Sequence, residues 1–285
     1  MYAGLTLLLL WTIGMYLQGK TFLQSYPLPS NLAVDCKIEN TTAVENENEI
    51  EGDNGCECDC ECKDSEYLVH NSEFYVQTAK KFNPVTDKVT THGYDLMYGK
   101  FLLPYYHQNP TMKMLEIGLG CDMSYGPGAS VALHQDLFPK AELWEAEFDA
   151  KCVNKHRHGK LNDINVLTGD QMNDTVLDQW IEESGGNFDV VIDDGGHANC
   201  QIWHSFKKLW PTLKSGGLYF IEDMHVGRRP MYRKYQTETC DNNFIISEEI
   251  QDLVDVLMYR KHKRLFHSQV EYFFCQRDGC LIAKK

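Results

Sequence analysis

The chain is short of positive charge: its 285 residues carry 27 Lys and Arg against 41 Asp and Glu, a formal net charge of −14. Neutralising a phosphate backbone takes clustered basic side chains, so a nucleic-acid partner is excluded. Internal repeats are absent, which removes solenoids and propellers from consideration. Charged side chains are absent from Met1 to Gly19, and Leu5 to Leu17 is almost wholly apolar. A signal anchor and a cleaved signal peptide both fit this leader. The apolar run is short against the roughly 20 residues of a spanning helix, and no clear small-x-small cleavage site follows it.

Cysteine, by contrast, is plentiful, with 11 in the chain. Four alternate with acids as Cys56-Glu57-Cys58-Asp59-Cys60-Glu61-Cys62. Neighbouring carboxylates disfavour thiolates, so disulfides in an oxidising lumen are a plainer reading than soft-metal binding. Asn40-Thr41-Thr42 and Asn173-Asp174-Thr175 are glycosylation sequons. Lys20, just after the apolar run, leans towards a cytosolic body by the positive-inside rule. The cysteines outweigh it, and a lumenal or secreted location is expected. The chain divides into a leader (1–24), an acidic cysteine-bearing linker (25–65) and a folded domain (66–285) opening with a helical cap over 66–110.

From Lys113 onward, short apolar runs alternate with helical patterns. Strands are expected at Lys113–Ile117, Glu142–Glu147, Ile164–Thr168, Phe188–Asp193 and Gly217–Glu222. Helices are expected between them at Ala129–Phe138, Ala150–His156, Thr175–Glu183 and Gln201–Leu213. This rhythm predicts an α/β fold with a doubly wound, mainly parallel sheet. Ser247–Tyr259 reads as a helix N-capped by Ser247. Val270–Phe274 and Cys280–Ala283 read as a C-terminal antiparallel hairpin around Arg277-Asp278-Gly279.

Two strands end in acids: Val190-Val191-Ile192-Asp193-Asp194-Gly195-Gly196-His197 and Gly217-Leu218-Tyr219-Phe220-Ile221-Glu222-Asp223. Ligands of open α/β sheets bind at the carboxyl ends of strands. Asp194, Glu222 and Asp223 converging there would repel one another unless they shared a cation. Oxygen ligands suit Mg²⁺, Mn²⁺ or Ca²⁺ over zinc. Asp193 points to the opposite side of its strand, facing the cofactor or supporting the turn. Imidazole titrates near neutral pH, so His197 is a candidate general base. His204 reads as an ordinary helical residue; His225, just past the second acid pair, is within reach of the pocket but is assigned no role in it.

Leu115-Glu116-Ile117-Gly118-Leu119-Gly120-Cys121 forms a glycine turn after the first strand. The dinucleotide fingerprint needs a third glycine, and Met123 stands in its place, so a cofactor without a pyrophosphate fits better. That points to S-adenosyl-L-methionine, with Gly118 and Gly120 approached closely by the ligand. Glu147, ending the second strand, can accept from both ribose hydroxyls, with Glu145 as its rival; Asp149 caps the next helix. Asp170 approaches the adenine or caps a helix.

These segments resemble the class I S-adenosylmethionine-dependent methyltransferases. More narrowly, they are similar to the metal-dependent sugar O-methyltransferases that tailor macrolides, of the mycinamicin and macrocin type. The resemblance runs from about Thr86 to the C-terminus. It includes Thr86-Asp87-Lys88, His92-Gly93-Tyr94, the Leu-Glu-Ile-Gly turn, Gly169-Asp170-Gln171 and both acid-ended strands. It implies Mg²⁺ or Mn²⁺ at Asp194, Glu222 and Asp223, and His197 as general base. It implies a cofactor site at Glu116, Gly118, Gly120, Glu147, Asp170 and Asp193. The implied acceptor is a hydroxyl of a sugar, polyol or other small molecule or glycan, and a homo-oligomer is compatible with it. The chain departs from the family at Gly196, where Ser is usual, and at the inserted Ser124-Tyr125-Gly126-Pro127-Gly128. A non-catalytic binding protein, an Fe(II) hydroxylase with His197 as ligand, and an NAD-dependent oxidoreductase are the competing readings.

Overall fold

The computed structural model describes residues 63–162, 164–231, 244–259 and 264–285. The expectations for the leader, the Asn40 sequon and the Cys56–Cys62 cluster fall outside these residues. Seven strands form one sheet in the order β3-β2-β1-β4-β5-β7-β6. They are β1 (Lys113–Ile117), β2 (Glu142–Glu147), β3 (Asn165–Thr168), β4 (Phe188–Asp193), β5 (Leu213–Ile221), β6 (Val270–Cys275) and β7 (Cys280–Lys284). The first five are parallel, and β7 runs antiparallel to both β5 and β6. The doubly wound sheet with its C-terminal hairpin is therefore the fold that the sequence rhythm predicts. Every residue of β4 is buried, as an unalternating apolar run at the centre of a parallel sheet requires.

Helices cover both faces. The first face carries α1 (Lys63–Ala79), α2 (Asp87–Thr90), and α3 (Asp95–Met97), which passes through a π-helical turn at Tyr98–Leu102 into α4 (Leu103–Gln108). Their Tyr75, Tyr98 and Leu102 pack with Met114, Ile192 and Phe220 of the sheet. Between the strands run α5 (Ala129–Leu137), α6 (Ala150–His156), α7 (Asp174–Ser184) and α8 (Asn199–Leu209), and α9 (Ile246–Tyr259) follows β5. On the second face, Trp203 and Phe206 of α8 pack with Leu115, Val191 and Tyr219. Strand parity separates the two layers: Leu218 and Phe220 face the N-terminal cap, whereas Tyr219 and Ile221 face α8.

Several boundaries differ from expectation, and β5 begins at Leu213 in place of Gly217. The region 66–82 holds one helix in place of one or two short ones. The helix after β4 stops at Leu209, because Pro211 opens a 3₁₀ turn. Helix α9 starts at Ile246, so Ser247 lies inside the helix and is not its N-cap. Its terminus is satisfied from another element: Asn199 Oδ1 accepts the Ile246 N–H at 3.1 Å. Ser247 Oγ instead accepts from Arg228 Nε at 2.8 Å.

Candidate active site

The sheet order reverses between β1 and β4, the crevice where open α/β sheets take ligands. A cavity of about 830 Å³ opens there, lined by residues just past the ends of β1, β2, β3, β4 and β5. Gly118 leaves β1 with φ +103°, and its N–H donates to Ala146 O at 2.8 Å. A Cβ at this position would stand 2.0 Å from the Asp194 carbonyl oxygen, so only glycine lets the two strand ends approach. Gly120 lines the same wall.

Glu147 ends β2 with its carboxylate on the cavity wall. It accepts the N–H of Asp149 at 2.9 Å and of Cys121 at 3.4 Å. Asp149 caps α6 as expected, accepting from Lys151 and Cys152. A disulfide between Cys121 and Cys152 ties the glycine turn to α6. Asp170 also lines the cavity. Its carboxylate accepts the Met172 N–H at 2.8 Å, and since Asn173 caps α7, Asp170 is not the helix cap. The inserted turn contributes Tyr125 to the wall, its hydroxyl pushed up to about 12 by burial and then by Asp87.

At the mouth of β4 and β5, ligand atoms of Asp194, His197 and Asp223 lie within 4.8 Å of one another, and all three residues line the cavity. His197 Nε2 is 3.7 Å from Asp223 Oδ2. Asp223 holds an uncommon left-handed backbone, φ +51°. Tyr94 fixes it on both sides: the hydroxyl donates to Asp223 Oδ1 and accepts the Asp223 N–H, each at 2.8 Å. His92 Nδ1 lies 3.2 Å from the same Oδ1.

Glu222 departs from the expected metal triad. Its side chain is 1% exposed, it lies outside the cavity lining, and it accepts from Tyr98 and from Lys88. Parity explains this, since Glu222 shares its face with Leu218 and Phe220 and therefore turns towards the N-terminal cap. Burial and the neighbouring Asp194 push its carboxyl above the usual range, while Lys88 pulls it back. Burial alone would lower Lys88, but Asp194, Glu222 and Glu116 more than reverse this and hold its ammonium charged.

Two residues expected at the cofactor do not line the cavity. Glu116 is fully buried on the cap side, where it accepts from or pairs with His134 at 3.0 Å and Lys88 at 3.1 Å. Those partners outweigh its burial and hold its carboxyl down at about 2. Asp193 faces α8, where Gln171 donates to it at 3.1 Å and Ser205 also donates. Of its two expected roles it therefore takes the support of the turn, and burial pushes it up to about 6. Glu145, the rival of Glu147, is fully buried beside Glu116, and burial followed by the Glu116 charge drives its carboxyl well up. His204 pairs with Asp174 on the helix surface at 3.0 Å.

Gly196 has a local explanation. A Cβ there would meet the Gln201 side-chain amide within 2.4 Å, so Gln201 fills the space that a serine side chain would need. Lys88, Tyr94, Tyr98 and Gln171 are the site-forming residues whose roles the sequence did not reveal. Their partners lie far along the chain, 129 residues away for Tyr94 and Asp223. For Lys88, Tyr94 and Gln171 the only signal was their presence in the segments that carry the family resemblance; Tyr98 lies in none of them.

No family model matches the chain. It is 36% identical over 121 residues to mycinamicin VI 2''-O-methyltransferase of Micromonospora griseorubida, covering 41% of this chain and 28% of that enzyme. It is 27% identical over 156 residues to L-olivosyl-oleandolide 3-O-methyltransferase of Streptomyces antibioticus, covering 54% and 39%. The chain thus spans well under half the length of these relatives. Among solved structures, the MycE methyltransferase of the mycinamycin pathway, in complex with Mg, SAH and mycinamycin VI, superposes with a TM-score of 0.56 at 24% identity. That match covers 76% of this chain and 54% of MycE. The expected secretory-pathway location is corrected by these comparisons, because the relatives are bacterial sugar O-methyltransferases. Among the described residues no helix is long and apolar enough to cross a membrane. Sheet order, the cavity at the switch point and these relatives agree: the chain has the class I S-adenosylmethionine-dependent methyltransferase fold and resembles the macrolide sugar O-methyltransferases.

Proposed function

We propose that this protein transfers a methyl group from S-adenosyl-L-methionine to a hydroxyl of a sugar or related polyol, with a divalent cation and His197 assisting. The observation that carries the reading is the convergence of Asp194, His197 and Asp223 on the wall of a cavity that also presents Glu147. The cavity is within the roughly 300–1,000 Å³ of small-molecule sites. Glu147 would accept from the ribose hydroxyls, and the close approach of Gly118 to Asp194 keeps side chains out of the cofactor's path.

Mg²⁺ fits the donor set, since Asp194 and Asp223 offer oxygen ligands on the cavity wall beside His197. When bound, the ion would lower the pKa of an acceptor hydroxyl and orient it. His197 then takes the hydroxyl proton on its ring nitrogen as the oxygen attacks the methyl carbon. The carbon–sulfur bond breaks as the oxygen–carbon bond forms, leaving the neutral thioether of S-adenosylhomocysteine. Asp223 lies 3.7 Å from the His197 imidazole and Tyr94 anchors Asp223, so this carboxylate would orient the base.

The test is transfer of labelled methyl to a panel of neutral glycosides. His197→Ala should lower kcat by about 10²–10⁴-fold, the usual contribution of a general base, with S-adenosylhomocysteine affinity kept. A variant retaining near-normal kcat would remove His197 from the mechanism. The compact Asp194, His197 and Asp223 grouping favours one second reading, an Fe(II) oxygenase with His197 as a ligand. Oxygen consumption with Fe(II), without methyl transfer under Mg²⁺, would establish that reading instead.

A further inference from the structure

Lys88 is a buried cation among three acids, of which Glu116 alone has a second basic partner, His134 at 3.0 Å. It sits in the short α2 with only 2% of its side chain exposed. Its Nζ stands 2.7 Å from Asp194 Oδ2, 2.8 Å from each oxygen of Glu222 and 3.1 Å from Glu116 Oε1. These carboxylates lie at the ends of β4, β5 and β1, so one ammonium ties three neighbouring strands together. Among the described residues, no other Lys or Arg pairs with any of the three acids. An ammonium has three donors to share among them. The backbone around Lys88 is also anchored: the Thr86 side chain accepts its N–H at 3.4 Å, and its carbonyl accepts the Tyr94 N–H at 2.8 Å.

Buried carboxylates need a cation, and unpaired they would repel one another out of place. A divalent ion on the cavity side could serve Asp194 from one direction while Lys88 serves it from the other. We propose that Lys88 is a positioning residue, the resident cation of the acid cluster. It holds Asp194 and Glu222 in place when no divalent ion is bound, and it competes with that ion for their charge. This rests on the reading that Asp194 and Asp223 take a divalent cation. Two consequences follow from electrostatics. The fold does not depend on the metal, and metal affinity is held down because a positive charge already shares the ligands.

The test compares the full-length wild type with Lys88→Met and Lys88→Arg. Mn²⁺ binding is read by electron paramagnetic resonance, and thermal unfolding is followed in EDTA and in saturating Mn²⁺. Wild type should already be stably folded in EDTA and gain Tm with Mn²⁺ only by the linkage of metal binding, while Lys88→Met should start lower in EDTA and rise further with Mn²⁺. Lys88→Met should also bind Mn²⁺ about tenfold tighter or more, as loss of a nearby like charge requires. A residue with a merely structural role would weaken metal binding when removed. Lys88→Arg keeps the charge and should stay close to wild type in Mn²⁺ affinity. Unchanged or weaker Mn²⁺ binding by Lys88→Met would overturn the proposal. So would a Tm indifferent to Mn²⁺, failure to fold even in saturating Mn²⁺, or a wild type that unfolds readily in EDTA. S-adenosylhomocysteine titration of the same proteins reports separately on the cofactor reading, because it does not require the metal result.

Discussion

Asp193 and Asp194 are adjacent, yet the strand sends them into different chemistry. Asp194 reaches the cavity wall, while Asp193 is buried against Gln171 and Ser205 behind the turn. Burial pushes Asp193 up to about 6, against about 3.9 for a free aspartate. The folded protein therefore binds the extra proton more readily than the unfolded chain does. The stability that this residue contributes is complete below pH about 4 and declines as pH rises through about 6. Asp193→Asn, which stays neutral, should gain stability relative to wild type across that interval. Urea unfolding of both proteins at pH 4.5 and 7.5 measures this; a difference in unfolding free energy that is the same at both pH values would contradict it. Lys88 illustrates the limit of reading at this scale. It lies 106 residues from Asp194 and 134 from Glu222, and no local pattern encodes such pairs.

Among the elements, the parallel strands were legible because their apolar runs end abruptly in Gly, Asp or Glu. The glycine turn, the Glu147 strand end and the two acid-ended strands all border the cavity as the pattern implied. What stayed hidden came from packing between elements. The start of α9 depends on Asn199 of another helix, and the orientation of Glu222 depends on which layer covers its face of β5. The Cys121–Cys152 disulfide also belongs here, because it joins the turn after β1, on the cavity wall, to the helix that follows the cavity-lining Phe148 and Asp149. Closing a loop with a sequence separation of 31 is worth about 3–4 kcal/mol on chain-entropy grounds. Replacing both cysteines by serine should lower Tm and weaken S-adenosylhomocysteine binding, with methyl transfer at saturating cofactor largely kept. Unchanged affinity in a calorimetric titration would show that the clamp does not shape the cofactor site.

Across the whole molecule, part of the excess of acids is gathered at the switch-point cavity. The cavity is lined by carboxylates including Asp87, Asp122, Asp170 and Asp223, with Lys88 committed to its buried acids. Such a site suits a positively charged cofactor and a neutral acceptor, in line with the proposed sulfonium donor and sugar hydroxyl. Everything then depends on whether the switch-point cavity takes S-adenosyl-L-methionine. The direct measurement is calorimetric titration of the purified full-length protein with S-adenosylhomocysteine, with NADH as competitor and Glu147→Gln as the control variant. The account predicts saturable binding of one molecule per chain, indifferent to NADH. It also predicts a loss of about tenfold in affinity, near 1.4 kcal/mol, in Glu147→Gln. Absence of saturable binding, or displacement of the ligand by NADH, would contradict it.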